Sequence, residues 1–331
     1  MEHRLKRHFV LFGWLFSKRG AIAVGVLTIA LIGVFEIAVR ALGLVSFPVY
    51  AVDNEIGYIP KPDQAGTFLD KNHWVFNDRS MGVSRPWDPK GNTNILLVGN
   101  SIVMGGDPFD QSEKVGPLIQ KRLGPDYALW PIAAGGWTNV NESVYLNRNP
   151  DVMQATNFFV WEFMVGGLTN ATPWVNDFIW PRDHPLWAGL YAVRRYLLPR
   201  LFPPESTWPP PTGVIDPASL TKFTSTLARL CKDTHREAPG ILLLYPTRSD
   251  LEVALQGREW LPERPVLEKL AQTYHLKLLD VAADPRWNPN IYRADGIHPT
   301  AAGNVVLADI VSQALRLALT DTKMQSAALP Q

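Results

Sequence analysis

Ile95-Leu96-Leu97-Val98-Gly99-Asn100-Ser101 is the stretch whose reading decides the fold. Four apolar residues in a row, with no polar alternation, describe a strand covered on both faces, which is the situation of a central strand in a parallel sheet. Gly99 then permits a tight turn, and the turn delivers a serine just past the strand end. Similar short apolar runs predict further strands at 127–132, 158–165, 241–245 and 276–281. Helical patterns separate them at 113–123, 140–146, 220–232 and 266–274, and a last helix begins near Thr300, a good N-cap. That helix is expected to keep Leu307, Ile310, Val311, Ala314, Leu317 and Ala318 on one side. Strand and helix in alternation imply a parallel sheet between two helical layers, in which reactive side chains gather beyond the C-terminal strand ends.

A second motif, Asp295-Gly296-Ile297-His298-Pro299, falls in the loop between the fifth strand and the last helix. A serine hydroxyl is a poor nucleophile until a base takes its proton, and a neutral imidazole is the better base when a carboxylate fixes its tautomer. Singly, a Gly-x-Ser is often only a turn, and a loop Asp-x-x-His only a cap. The two together, each after a strand of one sheet, place Ser101, His298 and Asp295 as a candidate catalytic set.

Composition narrows the field. With 46% hydrophobic and 19% charged residues among 331, a large core is available and global disorder is excluded. A net charge of +1 offers no dense basic surface, so no nucleic-acid partner is expected. The single cysteine, Cys231, excludes a disulfide framework and a cysteine zinc site, and it reads as an inert helical thiol. The remaining histidines are scattered, so no metal and no cofactor are expected.

Residues 21–45 are apolar except for small polar positions, Glu36 and Arg40. The segment exceeds the ~20 residues that cross a bilayer. Glu36 and Arg40, four apart, can pair along one helix face. Arg4, Lys6, Arg7, Lys18 and Arg19 precede it and predict a cytoplasmic N-terminus with the bulk of the chain outside. A cleaved signal peptide fits less well, because the two charges interrupt its expected apolar and cleavage regions. The expected organisation is a basic terminus (1–20), an anchor (21–45), a turn-rich, short-stranded lead-in (46–93), a catalytic domain (94–320) and a tail (321–331). An insertion at 169–216, rich in Pro and Trp, breaks the α/β rhythm. Within it, 187–202 has the pattern of an amphipathic helix. It reads as a lid, as a segment lying on the membrane, or as a helix packed on the domain edge.

Gly99-Asn100-Ser101 after a strand, glycines after the second strand, and Asp295-x-x-His298 before the last helix resemble the SGNH/GDSL hydrolase superfamily over roughly 94–319. The resemblance implies a flavodoxin-like three-layer α/β/α fold with a five-stranded parallel sheet, and acyl-ester chemistry. It makes Ser101 the nucleophile, His298 the base and Asp295 the residue that orients it, with the N–H groups of Ser101 and Gly136 as oxyanion donors. The usual third donor is an asparagine in a Gly-x-Asn-Asp context, where this chain has Gly166. Asn139, Asn141 and Asn170 are the substitutes at hand. Asn100 replaces the more usual Asp and is expected to support the turn. Glu162 reads equally as a site carboxylate or as a polar side chain on the solvent side of a sheet edge.

The expected function is a serine esterase or O-acyltransferase anchored in the inner membrane, its catalytic domain periplasmic, acting on acyl (acetyl) esters of a cell-surface polysaccharide. The expected partners are an acylated carbohydrate, the membrane, and a membrane acyl-donor or polysaccharide-synthesis protein. The competing expectations are a catalytically weak glycan-binding or assembly subunit, suggested by the missing asparagine, and a lipid esterase, suggested by 187–202.

Overall fold

A computed structural model of the chain describes residues 18–91, 93–202, 213–234 and 239–328, with side chains as far as 320. Arg4, Lys6 and Arg7, the proline runs at 203–204 and 209–211, and the last three residues of the tail lie outside the described residues. The chain forms two compact units.

The smaller unit gathers residues 18–47 with 68–70 and 184–202. Its first element, α1, spans Lys18–Ala41, slightly earlier than the apolar stretch suggested, and ends in a turn at 42–45. At 1.5 Å per residue its 24 residues are about 36 Å long, against about 30 Å of bilayer hydrocarbon. Nearly all its large apolar side chains are exposed, Ile22, Val26, Ile29 and Ile32 among them.

The larger unit opens on short strands: β1 (Tyr50–Asp53) pairs antiparallel with β2 (Gly57–Pro60), and β3 (Gln64–Phe68) pairs with β4 (Asn72–Phe76). The α/β body follows as β5 (Thr93–Gly99), α2 (Ser101–Met104), α3 (Val115–Leu123), β6 (Tyr127–Ala133), α4 (Asn139–Arg148), α5 (Pro150–Gln154) and β7 (Phe158–Phe163). In the smaller unit, α6 runs over 188–201 as Ala188–Ala192 and Leu198–Leu201 joined by a π turn, Val193–Leu197. The body resumes with α7 (Pro217–Asp233), β8 (Gly240–Leu244), α8 (Arg248–Leu255), α9 (Arg264–Thr273), β9 (Lys277–Asp280) and α10 (Ala301–Ala328).

The five strands β5 to β9 are parallel in the order β6-β5-β7-β8-β9. Counted within the sheet this is 2-1-3-4-5, the flavodoxin-like order. The apolar runs are explained by cover on both faces. Leu96, Val98, Trp161 and Leu242 pack on one side with Val144 of α4, Leu227 of α7 and Leu267 of α9. Ile95, Leu97, Val160 and Leu243 pack on the other with Ile119 of α3, Leu251 of α8 and Val311 of α10. Removing any one of these fully buried side chains to alanine costs ~2–5 kcal/mol.

Two expectations need correction. On α10, Leu307, Ile310, Val311 and Ala314 are buried, but Leu317 is 62% exposed and Leu315 and Leu319 are buried in its place. The helical period carries the inward stripe from 311 through 314 and 315 to 319 and leaves 317 on the outer face. The helix α8 lies where no element was anticipated. Its signal was nonetheless present as a capping box, in which Thr247 accepts from the Asp250 N–H and Asp250 accepts from the Thr247 N–H.

Candidate active site

Ser101 is delivered by the end of β5. Gly99 closes the strand at a point where a Cβ would lie 2.6 Å from the Glu162 carboxylate and 2.6 Å from Val103, so no larger residue fits. Asn100 is the N-cap of α2, its Oδ1 accepting from the Ile102 N–H at 3.0 Å. Ser101 is therefore the first helical residue, a position whose backbone N–H has no partner within the helix.

The histidine loop arrives from the far end of the sequence and is fastened to the end of β8. The Tyr245 hydroxyl donates to the Ile297 carbonyl at 2.8 Å, and the Arg248 N–H donates to the Gly296 carbonyl at 2.7 Å. The Arg248 guanidinium also donates to the Tyr292 and Arg293 carbonyls, both at 3.2 Å. Gly296 turns the loop with φ of 70°, a left-handed geometry that favours glycine.

Across this gap of 197 positions, His298 Nε2 lies 2.8 Å from Ser101 Oγ, and His298 Nδ1 lies 3.2 Å from Asp295 Oδ2. The other Asp295 oxygen accepts from the N–H groups of Ile297 and His298, each at 2.9 Å. Partial burial pushes the Asp295 carboxyl up, but the two N–H donors and the His298 ring more than offset it and hold it below the usual carboxylate range. The carboxylate is thus the acceptor in every contact it makes here, which assigns the Nδ1 proton to the imidazole and leaves Nε2 free to accept from the serine.

The side expected to hold an oxyanion is built on glycines. Tyr58 Oη and Trp180 Nε1 both donate to the Gly135 carbonyl, at 2.6 and 3.2 Å, and Thr172 Oγ1 donates to the Gly136 carbonyl at 2.7 Å. In a trans peptide the N–H points opposite to the preceding C=O, so pinning the Gly135 carbonyl turns the Gly136 N–H away from Tyr58 and Trp180. The N–H groups of Ser101 and Gly136 have no hydrogen-bond partner among the described residues. Gly136, with φ of 80°, lies beside the Tyr58 ring, which stacks on Trp180 at 3.9 Å.

None of the asparagines considered as a third donor is available. The Asn139 amide donates to Glu142 Oε2 at 2.8 Å and to the Glu162 carbonyl at 2.9 Å. The Asn141 amide donates to the Ile56 and Thr172 carbonyls. Asn170 does not line the cavity at Ser101. Gly166 is at the cavity wall, but its N–H is taken by Glu263 Oε1 at 2.7 Å.

Glu162 is not on a solvent face. Strand β7 is central, between β5 and β8, and Glu162 is 1% exposed. Its two oxygens accept from the Asn100 N–H (3.0 Å) and the Asn100 side-chain amide (3.1 Å), so it fastens the serine turn from beneath. Burial pushes its pKa up to about 7 against the pull of these donors. Glu142 is also fully buried, and burial together with the Glu162 charge drives it well above the carboxylate range, despite donors from Trp161 and Asn139. Glu142 is therefore the member of the pair that keeps a proton. Of the residues that hold this site, Glu162 was open in the sequence to a site reading, while Tyr245 and Arg248 escaped it. A lone carboxylate in an otherwise apolar strand was the available signal for the first.

A cavity of about 450 Å³ opens at Ser101 and His298. Trp137, Met164, Val165, Ile179 and Trp180 give it a largely apolar wall, and through Ile179 and Trp180 the insertion reaches the site. Among the described residues, no group of three or more His, Cys, Asp or Glu side chains is arranged to hold a metal.

No protein-family model and no curated protein matches the chain. Among solved structures it is similar to the psychrotrophic esterase EstA from Pseudoalteromonas sp. (12% identity, 69% of this chain and all of that one, TM-score 0.43). It is also similar to a lipase/acylhydrolase from Enterococcus faecalis (14%, 67% and 94%, TM-score 0.41). A third is a carbohydrate acetylesterase family member from Sinorhizobium meliloti (14%, 69% and 99%, TM-score 0.39).

Proposed function

We propose that this chain is a serine esterase or O-acyltransferase, anchored by α1 with its catalytic domain outside the cytoplasm, that acts on acyl esters of a cell-surface polysaccharide. One observation carries the chemistry: the continuous hydrogen-bonded line from Asp295 through His298 to Ser101 at the C-terminal edge of the sheet, open to a cavity. In this reading Ser101 Oγ attacks the ester carbonyl while His298 Nε2 takes its proton. The carbonyl oxygen becomes an oxyanion held by the N–H groups of Ser101 and Gly136. The alkoxide leaves with the proton returned by His298, and an acyl-serine remains. Water resolves it in an esterase, and a sugar hydroxyl resolves it in a transferase, His298 taking the incoming proton in both cases. Asp295 keeps the ring in the tautomer this requires. Anchoring is supported by the length and exposure of α1, and its orientation by the basic residues before it.

The test is labelling of the full chain by a fluorophosphonate probe, with mass spectrometry of the Ser101 peptide after incubation with acetyl donors. Labelling that disappears in Ser101→Ala, with an acyl adduct on that peptide, is the expected result. Among the described residues, the oxyanion side lacks a free side-chain amide, and this favours a second reading, a glycan-binding subunit with little turnover. That reading predicts a folded protein that binds acetylated glycan and takes no label. The apolar wall of the cavity also keeps a lipid ester in view, and turnover of acetylated glycans against long-chain esters separates the two substrates.

A further inference from the structure

The two charges that interrupt the apolar segment have a use other than pairing with each other. Within the smaller unit, Arg40 is ion-paired with Glu36 at 2.7 Å, and Glu36 also reaches forward to the start of α6. Its two oxygens accept the N–H groups of Ala188 (2.9 Å) and Gly189 (2.6 Å), groups that have no partner inside the helix. The Arg40 guanidinium donates to the Leu186 carbonyl at 2.8 Å and to the Pro185 carbonyl at 3.4 Å. The approach is close enough that a Cβ on Gly189 would lie 2.9 Å from the Phe35 ring. Further contacts fasten the same unit, with Tyr196 Oη donating to the Leu44 carbonyl at 3.0 Å and Phe47 packed on Tyr191.

This clamp fixes a depth. Glu36 is five residues, or about 8 Å, from the C-terminal end of α1. If α1 spans the bilayer, residue 188 starts α6 at the level where hydrocarbon gives way to headgroups. The composition of α6 suits that level. Ala188, Gly189 and Ala192 are buried against the unit, while Leu186, Trp187, Leu190, Leu197, Leu201 and Phe202 are 48–86% exposed. Arg194, Arg195 and Arg200 are interspersed among them, and 185–202 contains no acidic residue. Exposed leucines, a tryptophan and arginines without acids are the constitution of a helix lying in a membrane interface and facing anionic headgroups. The π turn at Val193–Leu197 shifts the register so that Leu197, Leu198 and Leu201 come out on the exposed side with Leu190.

We infer that α6 is an interfacial helix whose occupant is the outer leaflet of the bilayer that α1 crosses, with the Glu36–Arg40 pair as the bracket that sets its depth. The inference rests on the anchored reading, and its test separates the two. The full chain, in a Cys231→Ala background, is spin-labelled at one of Leu190→Cys, Leu197→Cys or Leu201→Cys and reconstituted in nanodiscs containing anionic lipid. Ile29→Cys in the middle of α1 and Glu268→Cys on α9 serve as references. Accessibility to oxygen and to a water-soluble nickel chelate is read by electron paramagnetic resonance. The α6 labels are expected to be rich in oxygen and poor in nickel, at ~5–10 Å below the headgroups. Nickel-accessible α6 labels beside a lipid-exposed Ile29 label overturn the interfacial helix and leave the anchor standing. Labels shielded from both reagents also overturn it, since they mean a protein covers α6. A nickel-accessible Ile29 label overturns the anchor itself.

Discussion

Replacing Glu162 by glutamine tests how the serine turn is held. In the native protein both carboxylate oxygens face donors of Asn100, and burial lifts the pKa from the ordinary 4.5 to about 7. A carboxyl whose folded pKa lies above its unfolded one binds a proton in the folded state that the unfolded chain has already released. Stability therefore falls as pH rises between those two values and is level above the upper one. Between pH 5 and 8 the loss is about 2 to 3 kcal/mol. Glu162→Gln has no such ionisation. It carries instead a loss of about 1–3 kcal/mol at every pH, because its NH2 must face one of the Asn100 donors. The informative quantity is the trend. Urea unfolding of the full chain in detergent micelles, followed by tryptophan fluorescence at pH 5, 6, 7 and 8, should show the variant losing ground at pH 5. It should recover about 2 to 3 kcal/mol relative to the parent by pH 8. Burial keeps Glu142 well above the carboxylate range in both proteins, and the variant lacks only the further rise that the Glu162 charge gives it. A difference that stays constant over this range would refute the reasoning, and Glu162 would then be a carboxylate charged throughout.

The remaining predictions concern turnover. Ser101→Ala and His298→Ala are each expected to remove it, a loss on the order of 10³–10⁶-fold in kcat, with urea midpoints near the parent's. Asp295→Asn should lose about 10²–10⁴-fold in kcat, because an amide can present its NH2 to Nδ1 and reverse the tautomer. Wild-type rates in all three would end the triad assignment. Gly136→Ala should lower kcat by about 10²–10³-fold and cost about 1–2 kcal/mol, since an alanine at φ of 80° is strained and its Cβ would meet Tyr58 Oη at 3.0 Å. Steady-state kinetics with thermal melts separates the two effects. Tyr245→Phe removes the bond to the Ile297 carbonyl and should cost about 1 kcal/mol, with kcat falling by less than about tenfold and KM unchanged. A loss as large as that of His298→Ala would mean that Tyr245 acts on the substrate itself.

The parts of this structure that were legible in the sequence are those whose cause is local. A strand covered on both faces must be apolar at every position, and 95–98, 158–161 and 241–244 declare this without reference to any partner. Thr300 caps α10 through its hydroxyl, which accepts from the Gly303 N–H, because that bond spans three residues. The turn at Gly99-Asn100-Ser101 is capped locally by Asn100 Oδ1 on the Ile102 N–H, and in the loop at 295–298 the Asp295 carboxylate holds the N–H groups of Ile297 and His298. What escaped depends on strand order. Glu162 was open to a solvent-facing reading only because nothing in the run at 158–163 says that β7 sits between β5 and β8.

The same distinction explains the oxyanion asparagine. Residue type made Asn139 a candidate beside Asn141 and Asn170, yet its amide is consumed by Glu142 and by the carbonyl of Glu162, which are 3 and 23 positions away. The claim on that amide comes from two acceptors buried beside it. With Glu142 holding a proton, both acceptors of the Asn139 amide are neutral, the Glu142 carboxyl and the Glu162 backbone carbonyl, while the Glu162 carboxylate is held by the two donors of Asn100. An amide committed to two buried acceptors cannot swing toward a substrate without giving up both bonds, at about 0.5–1.5 kcal/mol each. Among the described residues, the site is thus left with backbone donors alone on the side expected to hold an oxyanion. The Gly136 N–H is aimed by Tyr58 and Trp180 on the Gly135 carbonyl and by Thr172 on the Gly136 carbonyl, none of which belongs to the short motifs that first identified the serine and the histidine.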